Sequence, residues 1–202
     1  MRSDLAPLNP MKRYFLVYFL AMAVLAAVFA SPTFAQSPDN PEFWHALKQP
    51  GAIVLFRHAN APGGGDPAGF RLNDCSTQRN LDTEGREQAK RIGQRFRQQG
   101  IKVDAVLSSE WCRARETAQL AFPGMQKDAA AFNSFLRNPN DEPKQTIAAR
   151  KILLDWQGAG TLVVVAHQVN ITRLTGIYPA SGEGVVVKRQ GSELVVVARL
   201  TP

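Results

Sequence analysis

Histidine and cysteine are scarce in this chain: three and two, respectively, in 202 residues. Two cysteines cannot build a four-cysteine zinc site and allow at most one intrachain disulfide. His45, His58 and His167 are far apart, and no HxxxH or DxD pattern occurs. Metal-ligand spacing is therefore absent, and neither a metal nor another cofactor is expected. Internal repeats and low-complexity tracts are missing too. With 45% hydrophobic and 20% charged residues, the composition is ordinary for a globular chain, which excludes collagen-like, coiled-coil and wholly disordered readings. The length fits one domain or two small ones and suffices for a real core. Positive charge is in excess. The formal net charge of +7 favours anionic partners such as phosphate esters, nucleic acid or acidic membrane surfaces.

The chain has one long apolar run. Residues 14–30 (YFLVYFLAMAVLAAVFA) carry no charge, Lys12 and Arg13 precede them, and Thr33 and Ala35 place small residues before a cut. A basic n-region, an apolar h-region and a small-residue cleavage site define a secretory signal. Residues 1–35 therefore read as a signal peptide, with Met11 as an alternative start. The apolar run is also at the lower limit for spanning a bilayer, so an uncleaved anchor is the other reading. On either reading the folded part is expected outside the cytoplasm, periplasmic or secreted, and meets the membrane only through this segment. Arg2, Asp4, Lys12 and Arg13 carry +2 together, which leaves +5 on the rest.

Residues 36–50 read as a linker and a short amphipathic helix (Pro41 to Lys48, with Phe43, Trp44 and Leu47 on one side), and residues 51–202 as the main domain. His45, beside Trp44, is expected at the surface or in packing. Apolar runs at Ile53 to Phe56, Val103 to Leu107 and Leu162 to Ala166 predict buried strands. Asp82 or Thr83 caps a helix to about Gln99, where Gly100 stops it. Further helices are expected over Arg113 to Leu120, Pro143 to Gln157 and Asn170 to Gly176, and final strands over Gly184 to Lys188 and Leu194 to Leu200. Ala59 to Asn80 is a long Gly- and Pro-rich loop, and Phe122 to Pro143 reads as irregular. Strands alternating with helices imply an α/β three-layer sandwich, a mostly parallel central sheet with helices on both faces.

In such sheets, ligands bind beyond the carboxyl ends of the strands. The first strand ends in Arg57-His58, the second in Ser108-Ser109 followed by Arg113, and the third in His167. Two guanidiniums and two imidazoles converging on one point suit a dianionic, tetrahedral group, because arginine binds phosphate through a planar fork. One imidazole can attack phosphorus while the other groups neutralise its oxygens. Gly63-Gly64-Gly65 lacks the Lys-Ser/Thr of a P-loop and reads as a flexible site loop. Cys112 is followed directly by Arg113, which excludes the Cys-x5-Arg nucleophile loop of cysteine phosphatases.

The segments LFRHANAP, RNLDTEGREQAKRIG, VLSSEWCRARETAQLAF and VVVAHQVNIT, covering roughly Ile53 to Gly176, resemble the four successive motifs of the histidine phosphatase (phosphoglycerate mutase-like) superfamily. The export signal, the chain length and the FRHA opening are similar to the exported branch of lipopolysaccharide core heptose phosphatase-like proteins. The resemblance implies a metal-independent phosphoric monoester hydrolase with the phosphoglycerate mutase-like sandwich. His58 would be the nucleophile that becomes phosphohistidine, and Arg57, Arg113 and His167 would complete the phosphate pocket. The implied partner is a small-molecule or envelope-associated phosphate ester, not nucleic acid.

The match departs where a proton must reach the leaving oxygen. Asn133-Ser134 stands where many relatives have a glutamate, and Gln168 follows His167 where another branch has an aspartate. Asp66, Asp74, Asp141, Glu142 and Glu183 remain as candidates. The alternative is a weak or inactive phosphate-ligand-binding protein on the same fold. Arg71 and Arg79 flank the long loop and either touch substrate or face solvent. Asn170 is a helix cap or a phosphate contact. Cys75 and Cys112 form a disulfide, the default in an exported chain, or remain as two distant thiols.

Overall fold

A computed structural model describes residues 40–201. The signal peptide assigned to residues 1–35 and the first linker residues, 36–39, lie outside the described residues. Six strands, β1 (Ile53–Arg57), β2 (Val103–Ser108), β3 (Gln126–Asp128), β4 (Thr161–Ala166), β5 (Gly184–Gln190) and β6 (Glu193–Leu200), form one sheet in the order β3-β2-β4-β1-β5-β6. The pairs β3–β2, β2–β4 and β4–β1 are parallel, and β1–β5 and β5–β6 are antiparallel. In register, Arg57 lies opposite Ala166 and Ser108 opposite Val165. His58, Ser109 and His167 thus follow the carboxyl ends of three adjacent parallel strands, which is how residues so distant in sequence meet.

Alternation along the strands builds a core on each face. Val54 and Phe56 of β1, with Val163 and Val165 of β4, pack under α1 (Pro41–Leu47), α2 (Thr83–Gln98) and α3 (Cys112–Ala121). Ile53 and Leu55, with Leu162 and Val164, pack under α4 (Glu142–Leu154) and α5 (Gln168–Thr175). Fully burying one such side chain contributes about 1.5–3 kcal/mol. Asp82 caps α2 by accepting from the Gly85 amide at 2.7 Å, and Gly100 follows the helix at φ +64°, a conformation that favours glycine.

The sandwich agrees with the sequence reading, with four local corrections. Phe43, Trp44 and Leu47 of α1 are buried in the main core, so this helix belongs to the domain and not to a linker ending at residue 50. The segment read as irregular holds β3, whose sequence Gln-Lys-Asp has no apolar residue to betray an edge strand. α5 begins at Gln168, with His167 in the cap position. Asn170 is therefore inside the helix, and its Nδ2 donates to the Asn133 carbonyl at 2.9 Å.

The long loop is stapled to α3. Cys75 and Cys112 are disulfide-bonded with Cα atoms 5.7 Å apart. Gln78 donates to the Arg71 and Leu72 carbonyls and accepts from the Cys112 amide at 3.0 Å. For a bridge spanning 37 residues, loop-closure entropy predicts about 4 kcal/mol of stabilisation. Reduction, or the double substitution Cys75→Ser/Cys112→Ser, is expected to lower the denaturant midpoint accordingly. An unchanged midpoint would contradict the staple.

Candidate active site

Beyond the strand ends, His58, Arg113 and His167 form one buried cluster, with Arg57 and Arg79 half-buried beside it. His58 Nδ1 donates to the Ala59 carbonyl at 2.8 Å. Its Nε2 must then be the unprotonated nitrogen, and it accepts from Arg113 Nε at 3.1 Å. His167 Nδ1 accepts from Arg113 Nη2 at 3.3 Å, and its Nε2 donates to Ser109 Oγ at 2.8 Å. Ser109 Oγ donates in turn to Asn133 Oδ1 at 3.2 Å. The two histidine rings are 5.4 Å apart, centroid to centroid. Arg113 therefore presents Nε and Nη2 to the two imidazoles. Thr117 steadies this part of the site, accepting from the Ala59 amide and donating to the Arg113 carbonyl.

Asp66 reaches the cluster from the long loop. Its carboxylate accepts from Arg113 Nη1 at 2.7 Å and Nη2 at 3.2 Å, from the Arg79 amide at 3.1 Å and from Trp111 Nε1 at 3.1 Å. Arg79 Nη1 donates to the Ala61 carbonyl, and Arg57 Nη1 donates to the Pro179 carbonyl at 3.0 Å. The Nε atoms of both Arg57 and Arg79 are buried without a hydrogen-bond partner. Gly182, at φ +73°, turns its amide to the Arg57 and His58 carbonyls, and a Cβ there would strike the Gln88 side chain at 2.5 Å.

Electrostatics follow from this crowding. Burial, and then the charge of Arg113, push both His58 and His167 well below the ordinary histidine range, so both rings are neutral at pH 7. Burial lowers all three arginines from their usual value. Burial alone would raise the Asp66 carboxyl. The hydrogen bonds and charge of Arg113 outweigh it and hold Asp66 below the usual carboxylate range.

The structure brings Arg57, His58, Arg113 and His167 together, and of the five candidate carboxyls it adds only Asp66. Asp74 caps the turn Cys75–Thr77 and pairs with exposed Arg71, an interaction that lowers its carboxyl to about 2. Asp141 accepts from Asn138, and Glu142 pairs with Arg173. Glu183 is buried, but its oxygens are occupied by Arg199 and the Ala180 amide. Gln168 donates to Thr172, His45 is exposed beside Gln49, and Gly63-Gly64-Gly65 is exposed in the loop. Sequence reasoning left Arg79 open and missed Trp111 and the Ser109–Asn133 pair behind His167. The cysteines held a clue. Arg79 is four residues from Cys75, and Arg113 is next to Cys112, so a bridge between the cysteines carries both arginines to one place.

The family model of the histidine phosphatase superfamily (branch 1) matches residues 53–133 of this chain. Among curated proteins, the mitochondrial serine/threonine-protein phosphatase Pgam5 of Drosophila virilis is 35% identical over 103 residues, 50% of this chain and 33% of that protein. The chain thus spans about a third of the length of the curated relatives it matches. Among solved structures, the protein histidine phosphatase SixA complexed with tungstate is 14% identical with a TM-score of 0.55, covering 75% of this chain and 97% of that one. Bacillus stearothermophilus YhfR is 14% identical with a TM-score of 0.53, covering 72% and 94%. At these identities the structural likeness is one of fold.

Proposed function

We propose that this chain is a phosphatase that hydrolyses phosphate monoesters through a phosphohistidine on His58. The observation that carries this reading is the imbalance of the pocket. The cluster holds three guanidiniums against one carboxylate, which only Arg113 grips, and two buried Nε donors have no partner. Buried unpaired donors are costly, so the arrangement calls for an anion with several acceptor oxygens. The tungstate carried by SixA is such a tetrahedral oxyanion. Neutral His58 offers the Nε2 lone pair to phosphorus, with the tautomer fixed by the Ala59 carbonyl. The N–P bond forms as the ester P–O bond breaks, and the leaving oxygen keeps the electron pair and takes its proton from water. Arg57, Arg79 and Arg113 neutralise the transferring group, since phosphoryl transfer depends mainly on positioning and electrostatics. Water cleaves the N–P bond, releasing inorganic phosphate and restoring the His58 lone pair.

Residues 12–35 and the Cys75–Cys112 bridge support an exported, periplasmic or secreted protein, because disulfides persist in oxidising compartments. A small or envelope-associated phosphate ester is the proposed partner, with no nucleic acid. Metal-independent turnover and the branch similar to heptose phosphatases rest on the sequence. The ionised state of Asp66 favours a second reading, a phosphate-ligand binder with little turnover. Rapid quenching with a phosphorus-labelled ester separates the two. The phosphatase reading expects an acid-labile, base-stable phosphoenzyme, and binding without any trapped phosphoenzyme supports the second.

A further inference from the structure

Among the described residues, no protonated carboxylic acid faces the pocket to serve a leaving oxygen. Asp66, the one carboxylate bonded into the cluster among the described residues, is ion-paired with Arg113 at 2.7 Å. Glu110 turns its carboxylate to the Asn133 amide at 2.7 Å and connects to His167 only through Asn133 and Ser109. An aromatic wall leads outward from the histidines. His167 meets Trp111 edge-on at 5.5 Å, Trp111 stacks on Phe70 at 5.1 Å, and the Arg137 guanidinium lies over Phe70 at 5.6 Å. Arg137 Nη1 also donates to the carbonyls of Asp66 and Pro67. Its neighbour Leu136 is 62% exposed. Tyr178, 72% exposed, precedes Pro179, whose carbonyl accepts from Arg57 Nη1. Two of the largest exposed apolar side chains thus stand on the two segments that hold Asp66 and Arg57.

From these observations we infer that the site selects aryl phosphate monoesters, in which the phosphate is carried by a phenol and an apolar ring faces Leu136 and Tyr178. The inference rests on the phosphatase reading above. Both halves of the substrate follow from physical chemistry. A phenol ionises near pH 10, as tyrosine does, far more readily than water, so a phenolate departs without an acid. In the step, the His58 Nε2–P bond forms, the P–O(aryl) bond breaks, and the phenolate leaves with the electron pair and takes its proton from water. General-acid assistance is worth about 10²–10⁴-fold, so an alkyl ester that lacks it is at a disadvantage of about 10²-fold. Apolar contact at the mouth adds about tenfold.

Phenyl, benzyl and glycerol phosphates separate these effects on the purified disulfide-bonded protein. Benzyl phosphate keeps the ring with an alkyl leaving group, and glycerol phosphate has neither advantage. The expected order of kcat/KM is phenyl over benzyl by about 10²-fold and benzyl over glycerol by about tenfold. In the double substitution Leu136→Ser/Tyr178→Ser the benzyl-to-glycerol ratio falls toward one, while inorganic phosphate still raises the melting temperature, showing a folded pocket. Phosphotyrosine as a free amino acid and within a peptide distinguishes small from macromolecular sources of the aryl phosphate. Equal or faster hydrolysis of glycerol phosphate, or a ratio that survives the double substitution, overturns the inference. If no ester yields a phosphoenzyme, the phosphatase reading itself has failed.

Discussion

His58→Ala is expected to lower kcat/KM for any phosphate ester by about 10⁴-fold or more, since removing a nucleophile abolishes the covalent route and leaves only binding and electrostatic stabilisation. The phosphoenzyme disappears with it. His167→Ala keeps the nucleophile but takes from Arg113 Nη2 the acceptor that helps aim it, and is expected to cost about 10²-fold. The pH profile is a further check. Burial and Arg113 push His58 down, so protonation of the nucleophile sets in only well below the ordinary histidine value of about 6.5. Activity should therefore hold level as pH falls through 6.5, with its acid limb beneath. An acid limb centred at or above 6.5 would show that the lone pair on Nε2 is not protected as the structure has it. Residual activity in His58→Ala comparable to the parent would falsify the phosphohistidine route.

The parts of this site that were legible in the sequence share one physical origin. β1 and β4 are buried on both faces, so they read as apolar runs, and the polar residue ending each run marks the carboxyl edge of the sheet. Arg57, His58 and His167 were visible for that reason, and Arg113 because it opens the helix after β2. Asp66 and Arg79 were not, because a Gly- and Pro-rich loop has no periodicity to fix where its side chains go. Their placement depends on tertiary staples, Cys75–Cys112 and Gln78 among them. β3 escaped for a related reason. Its short polar sequence is a strand only because β2 offers it an edge, with Asp128 also paired to Arg115. Asn133, read as a vacancy where a glutamate was expected, instead accepts from Ser109 and the Glu110 amide and so orients His167 through the serine.

Asp66→Asn tests the other large effect, the dependence of Arg113 on its one carboxylate. The pair is buried, with side chains 4% and 5% exposed, and removing one partner of a buried pair typically costs about 3–5 kcal/mol because the remaining charge is left uncompensated. The unliganded variant should therefore melt lower, by roughly 10 °C for a domain of this size. The loss should be pH-dependent. In the folded protein Arg113 holds the Asp66 carboxyl below its unfolded value, so its contribution is present above about pH 4 and is lost as pH falls through that range. The parent and the variant should converge in stability in acid and separate at neutral pH. Phosphate offers the missing negative charge to the same guanidinium, and at 100 times its dissociation constant any ligand adds about 2.7 kcal/mol, so saturating phosphate should restore most of the loss. Turnover should not return with stability. Asp66 holds the Nη1/Nη2 edge of Arg113 while Nε and Nη2 face His58 and His167. A guanidinium freed on that edge loses its aim, and a displacement of about 1 Å can cost about 10²-fold in rate. If Asp66 merely competed with substrate for Arg113, the variant would bind phosphate more tightly and turn over at least as fast. Measuring phosphate affinity, kcat and the pH dependence of unfolding on the same preparation decides between a positioning carboxylate and a competing one.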